Sequence, residues 1–182
     1  MKQLRQKDVG IFLVLGVLLF LLPMTVWAGE DIPDLWTTAK AGNTKAQYNL
    51  ELIYDSRGET KYYMKAAHWF RLAANKGVAF AQNNLGVDYA TSRGVLQDYM
   101  KAAHWFRLAA NQGFPFAQNN LGVCYVKGLG VPQDYVKAAH WFRLAANKGV
   151  GQARYNLGVC YYNGQGVPQD YVKAAHWFRL AR

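Results

Sequence analysis

The chain has 182 residues, 52% of them hydrophobic and 15% aromatic, a balance that excludes a disordered polar tail and supports one packed domain. Its formal net charge is +10, which points either to an acidic partner or to a solvated basic surface, depending on where the charges fall.

Residues 1–28 read as an export signal. Lys2, Arg5 and Lys7 outweigh Asp8, the run from Ile11 to Leu22 is apolar, and Pro23 leads to Val26-Trp27-Ala28, a small-residue pattern for cleavage after Ala28. The apolar run is well short of the roughly 20 residues that span a bilayer, so membrane contact is expected only through this segment, before cleavage. Cleavage takes away three of 21 basic and one of 11 acidic residues, and the remaining 18 against 10 leave a mature chain at +8. The expected location is the periplasm or the outside of the cell. Residues 29–45 follow as an N-terminal segment, in which Leu35 to Gly42 has the pattern of a partial capping helix.

From residue 46 onward the chain repeats itself. KAAHWFRLAA stands at 65–74, 101–110 and 137–146, and KAAHWFRLAR at 173–182, at a constant offset of 36 residues. Each unit joins AQxNLGVxY, a glycine-containing link, and DYxKAAHWFRLAANxG, giving repeats at 46–80, 81–116, 117–152 and 153–182. Both halves carry helical periodicity. Trp69, Phe70 and Ala73 fall on one side of a helical wheel with His68 and Arg71 opposite, and Ala117, Leu121, Cys124 and Tyr125 form an apolar stripe in the first half. Asp98, Asp134 and Asp170 precede the second helix as N-caps. Gly77, Gly113 and Gly149 close that helix, and Gly128, Gly130, Gly164 and Gly166 sit in the links, where positive φ is called for. One such hairpin cannot cover its own apolar face, but stacked hairpins cover one another. The phrase therefore repeats as a stacking surface, with Trp69 and Phe70 and their equivalents expected to fill the space between units.

The ordered set A-x-x-x-L-G-x-x-Y, G-x-G-V-x-x-D, K-A-x-x-W-F and A-A-x-x-G, whole in Ala117 to Gly149, resembles the Sel1-like repeat family, a relative of the tetratricopeptide repeat. The resemblance implies an all-α fold, a right-handed α/α superhelical solenoid of about four 36-residue helix-turn-helix repeats. It implies an interaction scaffold whose first helices line a concave side. Two features depart from the pattern. The link from Asp55 to Tyr63 is one residue shorter and lacks the second glycine and the capping Asp, and the sequence stops at Arg182 within a second helix. The latter is expected to mean either a truncated product or a face that a partner covers.

Several rows invite chemistry. His68, His104, His140 and His176 recur once per repeat, but neighbouring helices are about 8–10 Å apart whereas a shared zinc needs each imidazole within about 2.1 Å, so solvent-facing histidines and no metal are expected. Cys124 and Cys160 are one repeat apart, too far for a disulfide, and are read as buried thiols. Lys65, Lys101, Lys137 and Lys173, with Arg71, Arg107, Arg143 and Arg179, form an outer basic stripe, either a solvated face or a site for anionic cell-envelope polymer or lipid headgroups. Nucleic acid is not expected, for want of any DNA- or RNA-reading motif. The candidate partner site is the amide row Asn49, Asn84, Asn120 and Asn156 with Gln82 and Gln118, joined by Gln47, Asn83 and Asn119, because an amide both donates to and accepts from a peptide backbone. The alternative is that these amides brace neighbouring repeats. No nucleophile–base set, phosphate loop or carboxylate pair stands out, so the expectation is a non-enzymatic protein with no cofactor, binding a protein or peptide.

Overall fold

The computed structural model describes residues 70–182 together with 37–39, 41 and 43. The leader, and Gln47, Asn49, Lys65 and His68 of the first repeat, lie outside the described residues. Residues 70–75 end one helix, and six more follow in alternation: α1 Ala79–Thr91, α2 Tyr99–Asn111, α3 Pro115–Lys127, α4 Tyr135–Asn147, α5 Gly151–Asn163 and α6 Tyr171–Leu180. Among the described residues there is no strand. Each helix packs on the next in sequence, so the chain is an all-α solenoid of hairpins.

The helices begin and end where the sequence punctuates them. The carboxylates of Asp98, Asp134 and Asp170 accept from the backbone N–H of Lys101, Lys137 and Lys173 at 3.0, 2.9 and 2.9 Å, satisfying one of the donors that a helix start leaves open. Pro115 opens α3, where a missing N–H costs nothing. The first helix of each hairpin ends on a left-handed residue, Ser92, Gly128 or Gly164. Ser92 is the one non-glycine residue with positive φ among those described, at 62°. The left-handed region costs a residue with a Cβ about 1–2 kcal/mol, partly offset by the extra chain entropy that glycine loses on folding. Ser92→Gly is therefore expected to raise stability by up to about 1 kcal/mol, read as a shift of the urea midpoint at unchanged slope.

The core is built of small residues. Ala102, Ala103, Ala109 and Ala110 of α2 and their counterparts in α4 are buried, so helix axes approach closely, and Leu85, Leu121 and Leu157 fill the centre. Phe and Trp divide their labour differently from the expectation that both fill the space between repeats. Phe106 and Phe142 are buried, and each lies on a glycine of its own hairpin: a Cβ placed on Gly86 or Gly122 would meet the ring at 2.6 Å. Phe thus locks the two helices within a repeat. Trp105, Trp141 and Trp177 are half-buried, packed at the margin of the core. Helical spacing places Phe and Trp on one side but does not reveal that a facing glycine makes a socket for only one of them.

Successive links are stacked as well. The Cα of Gly130 sits against the backbone carbonyl of Tyr99, and that of Gly166 against Tyr135, so close that no side chain fits. Among the described residues the links within hairpins and the starts of second helices consequently lie along one edge of the solenoid.

Candidate functional site

The amide row is carried by the first helices, which are covered from both sides: Gln82, Asn83 and Asn84 of α1 and Gln118 and Asn119 of α3 are buried, while Asn120 and Asn156 are half-buried. The structure brings these residues together across repeats. Asn120 Nδ2 donates to Asn83 Oδ1, and Asn156 Nδ2 to Asn119 Oδ1, both at 3.0 Å. Asn83 Nδ2 donates to Asn84 Oδ1 at 3.2 Å, and Gln152 Nε2 to Asn156 Oδ1 at 3.3 Å. The partners are one residue more than a repeat apart, a register that one-per-repeat alignment does not suggest. The glutamines do different work. Gln82 Nε2 donates to the Ala74 carbonyl at 3.1 Å and Gln118 Nε2 to the Ala110 carbonyl at 3.3 Å, occupying acceptors that the end of the preceding second helix leaves open. In the fourth repeat Arg154 takes this place, with Nε 3.3 Å from the Ala146 carbonyl.

Two polar atoms in this row lack partners among the described residues, Asn84 Nδ2 and Gln118 Oε1. Both gaps follow from breaks in the repeat. The residue matching Asn83 in the first repeat is Tyr48, which has no amide to accept from Asn84. Gln82 Oε1 accepts from Gln112 at 2.7 Å, but the residue matching Gln112 is Lys148, which donates instead to the Gly113 carbonyl at 2.6 Å.

The outer stripe is largely engaged with its own scaffold. Lys101, Lys137 and Lys173 pair with Asp98, Asp134 and Asp170 at 3.0, 2.9 and 2.8 Å and lie over the rings of Tyr89, Tyr125 and Tyr161 at 5.4, 5.6 and 5.6 Å. The backbone N–H and then the ammonium of the lysine hold Asp98 and Asp134 below the usual carboxylate range, with the ammonium leading for Asp170. The carboxylates in turn hold the three lysines above their ordinary range. From the preceding repeat, Arg71 Nη2 donates to Tyr89 OH at 3.5 Å and Arg143 Nη2 to Tyr161 OH at 3.2 Å. This Arg–Tyr–Lys–Asp clamp, complete at Tyr89 and Tyr161, is not legible from a helical wheel, although its four letters recur in each of the last three copies.

His104, His140 and His176 are exposed and each stands edge-on to its neighbouring Trp, with ring centroids 5.4, 5.4 and 5.6 Å apart. Among the described residues no three His, Cys, Asp or Glu side chains gather as metal ligands would. Cys124 and Cys160 are free, buried thiols, pushed up to about 11 by burial. At the far end Tyr155 and Phe178, rings 5.4 Å apart, line an open groove with Gly151, Gln152, Ala181 and Arg182.

Set beside known proteins, the chain matches a family model described as Sel1 repeat over residues 44–78, 79–114, 115–150 and 151–182. Among solved structures it is similar to c5321, a protective antigen of uropathogenic Escherichia coli strains displaying an SLR fold, at 38% identity and a TM-score of 0.72. A Sel1 repeat protein from Oxalobacter formigenes is similar at 32% identity and a TM-score of 0.70. The match covers 84% of this chain and 33% of the first structure, and 82% of this chain and 62% of the second, so both relatives are longer. No curated protein matches the chain.

Proposed function

Because the chain belongs to the Sel1 repeat family, whose repeats generally serve as protein–protein interaction scaffolds, we propose that it is a non-catalytic scaffold that grips a peptide or protein along the amide row on its concave side. The observation that carries this reading is an amide row continued from repeat to repeat, Asn83 with Asn120 and Asn119 with Asn156, whose half-buried members Asn120 and Asn156 keep surface for a bound backbone. The bracing bonds do not exhaust the row, since each amide offers two donors and two acceptor sites and Asn120 and Asn156 remain half-exposed. The outer stripe is a poorer site for an anionic polymer, because each described lysine in it already has a carboxylate partner. Export through residues 1–28, with action in the periplasm or outside the cell, belongs to the same proposal.

The test is capture of a partner from envelope extract by the immobilised full chain. Replacing Asn84, Asn120 and Asn156 together by Ala is expected to lower capture at least about tenfold. Four side-chain hydrogen bonds are lost as well, two of them between repeats, at about 0.5–1.5 kcal/mol each, so the triple variant must still melt cooperatively for the result to count. Undiminished capture by the folded variant would remove the amide row as the site.

A further inference from the structure

Among the described residues Leu72, Phe116, Tyr155 and Leu180 are large apolar side chains exposed at separate places, but the most exposed ones gather on one edge. Leu96 is 89% exposed, Met100 74%, Val136 67% and Val172 81%, and Tyr162 and Tyr171 are also exposed. All six lie in the links or at the adjoining helix ends, so they share the edge along which successive links stack, as the contacts of Gly130 with Tyr99 and of Gly166 with Tyr135 require. Met100, Val136 and Val172 are the same position in three repeats, which makes a ridge of apolar tips. The stacking of the solenoid does not use them, since burial is completed by the opposite faces of the same helices. A row of exposed apolar tips repeated along one edge marks a contact site.

The charge of the body says what the ridge meets. Between residues 70 and 182 the carboxylates are Asp88, Asp98, Asp134 and Asp170, against thirteen Lys and Arg, and three of the four are paired with lysines beside the ridge. The edge therefore presents no uncompensated negative charge at those positions, on a strongly cationic body. Tyr162 and Tyr171, with ring centroids 5.3 Å apart, add rings with one apolar and one polar end, the type suited to a membrane interface. Apolar tips, amphipathic rings and a cationic body together match one surface, acyl chains beneath anionic headgroups. None of the described helices is long and apolar enough to cross a membrane, so the contact is peripheral. We infer that this edge docks the solenoid on an anionic lipid surface, with Leu96, Met100, Val136 and Val172 entering the headgroup layer. This surface is separate from the amide row, and the capture test reads changes at Asn84, Asn120 and Asn156 whereas the vesicle test reads changes on the ridge, so either reading can fail alone.

A local reporter tests it in the full chain, where binding through residues 1–28 would otherwise obscure the result. Leu96→Cys carrying a polarity-sensitive fluorophore is compared with Asn147→Cys, which marks the opposite end of a second helix, and the buried Cys124 and Cys160 thiols, pushed up to about 11, label slowly. With vesicles of phosphatidylcholine and phosphatidylglycerol, emission at position 96 is expected to shift to the blue and emission at 147 to stay unchanged. Adding Met100→Ser, Val136→Ser and Val172→Ser should raise the lipid concentration needed for that shift by about tenfold. The proposal is overturned by no shift at position 96, by equal shifts at both positions, by an equal response to phosphatidylcholine alone, or by a titration that the three serines leave unchanged.

Discussion

Phe142→Ala is expected to reduce the unfolding free energy by about 3–5 kcal/mol, the range for emptying a buried aromatic site, and to be one of the two costliest substitutions argued in this chain. Phe142 is 2% exposed and its ring rests where α3 has no side chain, so that a Cβ on Gly122 would stand 2.6 Å from Cε1 and 2.7 Å from Cδ1. The cavity closes poorly, because much of the surrounding core is alanine, too short a side chain to swing into the space. The converse substitution probes the same fit. Gly122→Ala gains about 1 kcal/mol of helix propensity but forces the ring out of its socket, a strain of about 1–3 kcal/mol. Combining it with Phe142→Leu should cost less than the sum of the two single changes, which a double-mutant cycle in urea would show as coupling. Strict additivity would mean that ring and glycine do not form one packing unit. Because repeats unfold through nearest-neighbour interfaces, the loss should also appear as faster amide exchange in α3 and α4 before the rest.

How much of this was legible beforehand varied with the kind of signal. Helix boundaries were written out by Asp98, Asp134 and Asp170 and by the glycines after most helices, since these act through the backbone within a few residues and carry the same meaning wherever the copy keeps them. The buried stripe of Ala117, Leu121, Cys124 and Tyr125 followed from period alone. What could not be read was the partner of each side chain across the stack. A wheel places Asn83 and Asn84 beside an apolar stripe, but whether they face a groove or a neighbouring helix depends on how the next hairpin is laid down, and the bond from Asn120 to Asn83 crosses that boundary out of register. Likewise Lys101 and Arg71 read as one charged stripe, whereas the fold sets them on either side of Tyr89, so that much of the apparent basic surface serves the joint between repeats.

Gly130→Ala is expected to cost about 2–5 kcal/mol, and its neighbour Gly128→Ala only about 1–2 kcal/mol, although both residues have φ near +67° to +69°. The shared part is the left-handed backbone, about 1–2 kcal/mol for any residue with a Cβ. The difference is what the methyl group meets. At Gly128 the nearest atoms are ordinary contacts at 3.7 Å, whereas at Gly130 the methyl would overlap the Tyr99 carbonyl at the start of the preceding repeat's second helix. Relieving that overlap means moving one link away from the other, a distortion of about 1–3 kcal/mol by analogy with overpacked cores. The sequence itself supports the lesser cost at the first position, since Ser92 occupies it in the second repeat and holds φ at 62°. Urea denaturation of the two variants separates the contributions. If Gly128→Ala and Gly130→Ala lose equal stability, backbone conformation alone sets the cost and the links do not bear on one another; a larger loss at Gly130 shows that contact between links helps fix how each repeat sits on the last.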